Sequence, residues 1–246
     1  MKLIEKLTET EENKISLYRI KWQKLASTPI PLNRSLVKEV IQLVYSVQNL
    51  SPPTILFYSS PSKAIKPILS GKFGNSLAKT FSISYEETLF TQVYNQITPK
   101  IFSELDRRIL SLLNYKLLPI KITNSELLYP LIKPLLRSQR NRLKNCIKPD
   151  EWMPRGSFLD FCISVLHCTH SSTQWQVFQL LAQYCGWLYP YRQACIVCER
   201  PSQIELKPGF CSISYSDGQT LQYFYDASKD LMWNAELMYF IRTKYK

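Results

Sequence analysis

The sequence is poor in glycine, in histidine and in long apolar runs. Six glycines in 246 residues exclude a glycine-rich low-complexity chain. Neither a Gly-x-x-x-x-Gly-Lys phosphate loop nor a Gly-x-Ser-x-Gly nucleophile elbow is present. No apolar run approaches the roughly 18 to 20 residues that cross a bilayer, and the charged start Met1–Lys6 lacks a secretory signal. These absences predict a cytoplasmic protein without a membrane span.

The cysteines are odd in number and irregular in spacing, which disfavours a disulfide framework. Most of them stand beside apolar neighbours, as buried free thiols do. We therefore expect free thiols in a reducing compartment at the seven positions, which are Cys146, Cys162, Cys168, Cys185, Cys195, Cys198 and Cys211.

The positive charge is unevenly spread, because the formal net charge of +12 lies entirely in the first part of the chain. Residues 1–150 hold 23 Lys and Arg against 11 Asp and Glu, whereas residues 151–246 hold eight of each. Summed positive charge attracts phosphates and acidic surfaces, so the densest basic segment predicts contact with nucleic acid or an acidic protein partner. A solvated helix face is the alternative. Its acid-free basic residues are Lys133, Arg137, Arg140, Arg142, Lys144 and Lys148.

Helical periodicity dominates the chain before residue 186 and strand patterns follow it, which predicts an α+β fold. We expect a predominantly helical N-terminal part and a small antiparallel sheet near the C-terminus. Thr8-x-x-Glu11 predicts a capping box, and Asn33 predicts the N-cap of a second helix. Further helices are predicted over 85–113 with a break or kink at Pro99, and over 125–147, 158–168, 173–185 and 228–243. Gly186 is the predicted C-terminal cap of the helix over 173–185.

Four short runs have the composition of strands. Thr54–Tyr58 and Ala194–Cys198 predict buried strands, and Ser216–Gln219 predicts a hairpin turn between strands over 211–215 and 220–225. Ser59–Ala64 follows the first strand and starts a helix. Such a turn can receive a phosphate at backbone amides, or it can be a plain Ser-Pro helix start.

The shift in charge near residue 150 suggests two regions. Residues 1–150 form a basic, mainly helical region with one buried strand. Residues 151–246 form a neutral helix pair, a β-meander and a C-terminal helix. One continuous domain is the alternative.

The segment from Gly186 to Pro201 is the most distinctive in the chain. Its Cys-Gly-Trp-Leu-Tyr-Pro-Tyr run, with the Cys-Ile-Val-Cys-Glu-Arg-Pro run after it, resembles a bacterial family known only as a domain of unknown function. Residues 29–44, 54–64 and 158–166 are similar to the family in outline. Its members often carry a histidine-bearing strand before the Asp-Gly hairpin, whereas 204–216 here is short and lacks histidine. The resemblance implies no established reaction.

The aromatic residues of this segment form a second candidate surface. The rings can stack bases or grip a peptide beside nearby arginines, or they can fill the core with their polar tips at its edge. The residues concerned are Trp187, Tyr189, Tyr191, Arg192 and Arg200.

Two sets of cysteine and histidine residues are candidates for a metal site. In an extended strand, Cys195 and Cys198 point to opposite faces and cannot share one ion, which favours structural burial. The other set has no standard finger spacing, and two of its cysteines are expected on different sides of a helix. It comprises Cys162, His167, Cys168 and His170. We expect no metal and no cofactor.

No constellation in the sequence specifies a reaction, so a non-enzymatic binding or accessory subunit is the first hypothesis. Its basic helix would contact nucleic acid or an acidic protein. The second hypothesis is an uncharacterised or degenerate enzyme with a site near the Gly-Trp turn and the Asp217–Gly218 hairpin. The third is a scaffold subunit of a larger protein assembly.

Overall fold

The computed structural model describes residues 3–27, 32–111, 137–147, 152–207 and 210–224. The helices described, in chain order, are α1 (Glu9–Ser27), α2 (Arg34–Val47), α3 (Pro61–Leu69), α4 (Ala78–Ser82), α5 (Thr88–Tyr94), α6 (Pro99–Leu105), α7 (Arg137–Lys144), α8 (Met153–Ser164) and α9 (Ser172–Tyr184). π-Helical segments lie at Ile83–Glu87 and Asp106–Ser111. The strands described are β1 (Thr54–Tyr58), β2 (Leu188–Pro190), β3 (Ala194–Cys198), β4 (Gln203–Lys207), β5 (Phe210–Ser214) and β6 (Thr220–Phe224). The predicted α+β class is confirmed.

The helix starts follow the capping chemistry of the sequence. Thr8 N donates to Glu11 Oε2 at 2.7 Å and Glu11 N donates to Thr8 Oγ1 at 3.3 Å, which confirms the capping box. Asn33 Oδ1 accepts from Leu36 N at 3.1 Å and caps α2 as predicted. Pro99 separates two helices, because it is the first residue of α6 and Thr98 caps that helix.

One three-stranded sheet joins distant parts of the chain. Its order is β1-β3-β2, with β1 parallel to β3 and β2 antiparallel to it. Both predicted strands are present, but their parallel pairing and β2 were not predicted. A parallel pair needs a long crossover between its strands. Here the crossover contains every described helix from α3 to α9. No local sequence pattern therefore predicts the pairing.

Buried side chains cover both faces of this sheet. Cys195 and Val197 of β3 face the larger core, with α2 and α9, whereas Ile196 and Cys198 face a smaller cluster under α3 and α7. The two thiols of Cys195-x-x-Cys198 therefore point to opposite faces, as predicted.

The second sheet is antiparallel, in the order β4-β5-β6. The predicted hairpin is confirmed, with Gly218 at φ 78° in its turn. Strand β4 was not predicted, although Gln203–Lys207 alternates strictly between polar and apolar residues, the pattern typical of a strand. The predicted helix over 228–243 lies outside the described residues.

The regions 1–150 and 151–246 share one core. Helix α1 packs along α8, and β1 pairs with β3 across the proposed boundary. The larger cluster takes buried residues from both regions.

Gly186 does not act as the helix cap that the sequence predicted. Helix α9 ends at Tyr184 with Cys185 as its C-cap in extended conformation. A Cβ on Gly186 would lie 2.6 Å from the carbonyl oxygens of both Cys198 and Glu199. Glycine is needed here because the chain passes directly against the end of β3.

Candidate binding surface

Helices α3 and α7 form an outer layer over the smaller face of the mixed sheet. Ala64 and Ile68 of α3 and Leu143 of α7 are buried against Tyr189 and Ile196 of the sheet. This apolar contact fixes both helices to the sheet and leaves their other sides to solvent.

Polar contacts lock α7 to the end of α3. Arg142 Nη1 donates to Leu69 O at 2.8 Å, and Ser76 Oγ donates to Asn145 O at 2.8 Å. After α7, Ile147 and Leu188 exchange backbone hydrogen bonds of 2.8 and 2.9 Å, which tie the segment to β2. The arginine stabilises the α3 C-terminus by binding one of its open carbonyls.

The packing of α3 against α7 joins two acid-free stretches of the sequence. No Asp or Glu occurs between Glu39 and Glu86, or between Glu126 and Asp150. The described cations of this layer are exposed, and they are Lys63, Lys66, Lys72 and Arg142. We call these residues, with the α7 positions Arg137, Arg140 and Lys144, the basic surface. The predicted members Lys133 and Lys148 lie outside the described residues.

The contribution of α3 to this surface was not predicted from the sequence. Lys63 and Lys66 stand about seventy residues before α7, and only the tertiary packing brings them beside it. The missing acids between Glu39 and Glu86 were the available signal.

A short loop after α3 was also missed. Gly71-Lys72-Phe73-Gly74 turns with φ of 70° at its first glycine and 78° at its last. Lys72 Nζ lies 4.8 Å from the centroid of the Phe73 ring, which packs on Tyr191 at 5.4 Å. Its Gly-x-x-Gly spacing was the available signal.

The predicted aromatic surface is not a surface. Trp187 and Tyr191 are 4% exposed and Tyr189 is 0% exposed. All three belong to the cluster under α3 and α7. The interpretation as core filling is correct, because this segment enters a strand covered by helices.

The two arginines of that candidate surface have different environments. Arg192 is exposed, one residue after Tyr191, which forms a β-bridge with Ser76. Arg200 is 6% exposed and donates to Leu25 O at 2.8 Å and Gln183 O at 2.9 Å. It therefore binds carbonyls in the last turns of α1 and α9 rather than an external partner, which corrects the prediction for this residue.

The Cys/His cluster comes together only in part. Helix α8 ends at Ser164 and the chain turns back at His167, whose φ is 55°. Cys168 N then donates to Cys162 O at 3.0 Å, and the two thiols are hydrogen-bonded. The expectation that these cysteines lie on different sides of a helix is wrong.

The histidines do not complete a metal site in this arrangement. His167 is exposed, and His170 Nδ1 lies 3.1 Å from Cys168 O. In the described ranges, no three His, Cys, Asp or Glu residues are grouped so that they could hold an ion.

Hydrogen bonds connect the Asp217 hairpin to the start of α3. Ser59 Oγ and Ser60 Oγ donate to Asp217 Oδ2 at 2.8 and 2.9 Å, and Ser62 Oγ donates to Gln219 Oε1. Pro61 is the first residue of α3 as predicted, but the Ser60 hydroxyl binds Asp217 instead of a helix amide. The turn thus holds a carboxylate of the protein itself.

This arrangement disfavours Asp217 as a catalytic base. Partial burial raises the pKa of Asp217, but hydrogen bonds from Ser59, Gln219 and Ser60 outweigh it, and Lys63 acts in the same direction. The pKa of the carboxyl is therefore lowered, whereas a general base near neutral pH needs a raised one. Beside it, Ser216 Oγ donates to Glu199 Oε2 at 2.6 Å, and Arg34 pairs with Glu199 at 3.2 Å.

Comparisons with known protein families, with curated proteins and with solved structures found no match to this chain. The resemblance carried by residues 184–201 stays a prediction. Within the described part of the chain, no helix has both the length and the apolar character that a bilayer crossing requires.

Proposed function

We propose that the protein is a non-enzymatic binding or accessory subunit that contacts nucleic acid through its basic surface. The observation that carries the proposal is the packing of α3 against α7, which adds the exposed Lys63 and Lys66 to the predicted basic helix. Helix α3 and helix α7, one from each acid-free stretch, thereby form one layer. Clustered cations of this kind bind the phosphates of a polyanion with release of counterions.

An acidic protein surface is the other partner that this charge would attract. A catalytic function at the Asp217 hairpin has less support, because the serine hydroxyls are committed to a carboxylate whose pKa is lowered. The proposal includes a cytoplasmic location, which is supported by free and buried thiols at Cys162, Cys185 and Cys195.

The experiment is a comparison of two charge-reversal variants of the full chain. The first carries Lys63→Glu, Lys66→Glu, Arg137→Glu and Arg140→Glu. The control carries the same change at the exposed residues Lys14, Lys38, Lys100 and Arg107. Both variants change the net charge equally, so a difference between them reports on the surface and not on total charge.

Purified wild-type protein is expected to bind oligonucleotides, and to carry nucleic acid when it is isolated at low salt. The first variant is expected to lose at least about tenfold in affinity, and the control less than about threefold. Equal affinity of the two variants would contradict the proposal. A different outcome would support the acidic partner instead. In that case the wild type binds no nucleic acid, and an acidic protein co-purifies with the control variant but not with the first variant.

A further inference from the structure

We propose that the loop Gly71–Gly74 is the point at which the basic surface grips the backbone of a single-stranded nucleic acid. This inference rests on the proposed function, because it names the ligand class and the contact point of the same surface. Four features of the loop carry it: its glycines, its cations, its amides and its ring.

The glycines keep the loop backbone open to a ligand. Both have positive φ, and Gly74 N donates to Gly71 O at 3.2 Å to close the turn. Nothing lies within 4 Å of the position that a Cβ on Gly74 would occupy. Backbone that is bare and exposed lets a phosphate oxygen approach the amides directly, as in other Gly-x-x-Gly loops that hold nucleotide backbones.

Two backbone amides, one in the loop and one directly after it, are available for such an oxygen. Among the described residues, nothing accepts a hydrogen bond from the backbone N–H of Phe73 or Asn75. The Lys72 amide, in contrast, donates to Ser70 Oγ at 3.4 Å. Unpaired N–H groups beside cations form an anion-binding site.

A guanidinium flanks the loop and Gly71 makes room for it. A Cβ on Gly71 would lie 2.7 Å from Arg142 Nη1 and 2.9 Å from Nη2. Arg142 is exposed although it donates to Leu69 O. A guanidinium has five N–H donors, so Arg142 can hold Leu69 and bind a phosphate at the same time, with Lys72 on the loop itself.

The Phe73 ring distinguishes a single strand from other polyanions. It is half-buried and held against Tyr191, whose own ring is 4% exposed. Lys72 Nζ lies 4.8 Å from the centroid of this ring. When that ammonium turns to a phosphate, the fixed ring offers a stacking position for a base. Bases of a single strand are free to stack on it, whereas the bases of a duplex are paired and an acidic peptide has none.

The test measures binding of the full chain to labelled oligonucleotides by fluorescence anisotropy. The probes are single-stranded DNA and RNA of about 16 nucleotides and the matching duplexes, with polyglutamate as a competitor. The variants are Lys72→Asp and Phe73→Leu. The control is Lys100→Asp, which makes the same charge change at an exposed position of α6.

For Lys72→Asp we expect about fivefold or more weaker single-strand binding, and for Lys100→Asp less than about twofold. Phe73→Leu is expected to weaken single-strand binding about fivefold or more and to leave duplex binding unchanged. Because Phe73 packs on Tyr191, circular dichroism of each variant checks the fold, and Lys72→Asp tests the loop without altering that packing.

Three results would overturn the inference. Equal losses in Lys72→Asp and Lys100→Asp would remove the loop as the contact point. Duplex binding as tight as single-strand binding, or competition by polyglutamate as strong as by unlabelled single strand, would remove the ligand class. A further outcome separates the two proposals. If the wild type binds single strands, the four-residue reversal weakens this binding, and the loop variants bind as tightly as Lys100→Asp, then the proposed function stands and only the loop is excluded. If the wild type binds no oligonucleotide, both fail.

Discussion

At the scale of single residues, two glycines have opposite functions. Gly218 has a φ of 78° and open space around it, so it provides a backbone conformation. Gly186 provides space, because a Cβ there would meet the backbone oxygens of Cys198 and Glu199 at 2.6 Å. The sequence shows a glycine in both places, and only the tertiary approach of β3 distinguishes them.

Gly186→Ala is therefore expected to cost about 3 kcal/mol of unfolding free energy, since backbone atoms must move to admit the methyl group. The matched variant Gly218→Ala meets no atom and is expected to cost about 1 kcal/mol for its left-handed conformation. Urea denaturation of both variants measures the difference. A smaller loss for Gly186→Ala than for Gly218→Ala would contradict the close approach.

The thiols are expected to differ sharply in reactivity. Burial raises the pKa of Cys185 to about 12, and burial also raises the pKa of Cys198. The hydrogen bond from Cys162 lowers the pKa of Cys168, but Cys168 is only 4% exposed. Cys146 is the most exposed of the six cysteines whose side chains are described.

Iodoacetamide at pH 8 should therefore label Cys146 before the other five, because a thiol reacts as an accessible thiolate. Peptide mass spectrometry over a time course measures the order. Labelling of Cys185 or Cys198 at the rate of Cys146 in folded protein would contradict the described burial.

At the scale of elements, Arg200 joins two helix ends. Its guanidinium donates to Leu25 O in α1 and to Gln183 O in α9, at a position 6% exposed. The Arg-Pro motif was visible in the sequence as part of a candidate surface. Its helix partners could not be read there, because Leu25 precedes Arg200 by 175 residues.

Arg200→Met is expected to lower the unfolding free energy by about 3 kcal/mol, since two partly buried carbonyls lose their donor. Arg200→Lys keeps the charge but lacks the planar fork that reaches both oxygens, so a loss of about half that size is expected. Thermal and urea unfolding give both values. If Arg200→Met had the same unfolding free energy as the wild type, the hydrogen bonds from Arg200 to the two helix ends would contribute nothing to stability.

Asp217 connects the second sheet to α3 and gives this contact a pH dependence. Its pKa is lowered in the folded state, so its stabilisation is fully present above the unfolded pKa of about 4 and is lost as pH falls through the folded value. Asp217→Asn is expected to cost about 1 kcal/mol at pH 7 for this exposed contact.

The difference in unfolding free energy between wild type and Asp217→Asn should shrink as the pH is lowered from 5 to about 3. Urea denaturation across this range measures it. A difference that stays constant with pH would contradict the role of the charged carboxylate.

Local patterns and long-range contacts differ in how well the sequence predicted them. The capping box at Thr8, the cap at Asn33 and the hairpin at Gly218 were predicted, because each depends on residues within a few positions. The parallel pairing of β1 with β3 was not, because 140 residues separate Thr54 from its partner Ala194 and strand composition does not encode a partner.

At the scale of the whole molecule, the fold gathers positive charge into one layer. The smaller cluster supports that layer from beneath with Trp187 and Tyr189, the rings that the sequence suggested as a binding surface. Of the helix predicted over 125–147, the structure describes the part Arg137–Lys144 as helical. Lys63, Lys66 and the Gly71–Gly74 loop, in contrast, join the surface only through tertiary packing. A surface composed of separate segments is visible only once the core that assembles them is known.

The most direct test of the central claim is the salt dependence of single-strand binding by the wild type and the two four-residue variants. The slope of log K against log salt is negative, and its magnitude decreases by about 0.7 for each phosphate contact removed. We therefore expect a slope about 3 smaller in magnitude for the variant at Lys63, Lys66, Arg137 and Arg140, and an unchanged slope for the control. Equal slopes and affinities for both variants would contradict the claim that this surface binds nucleic acid.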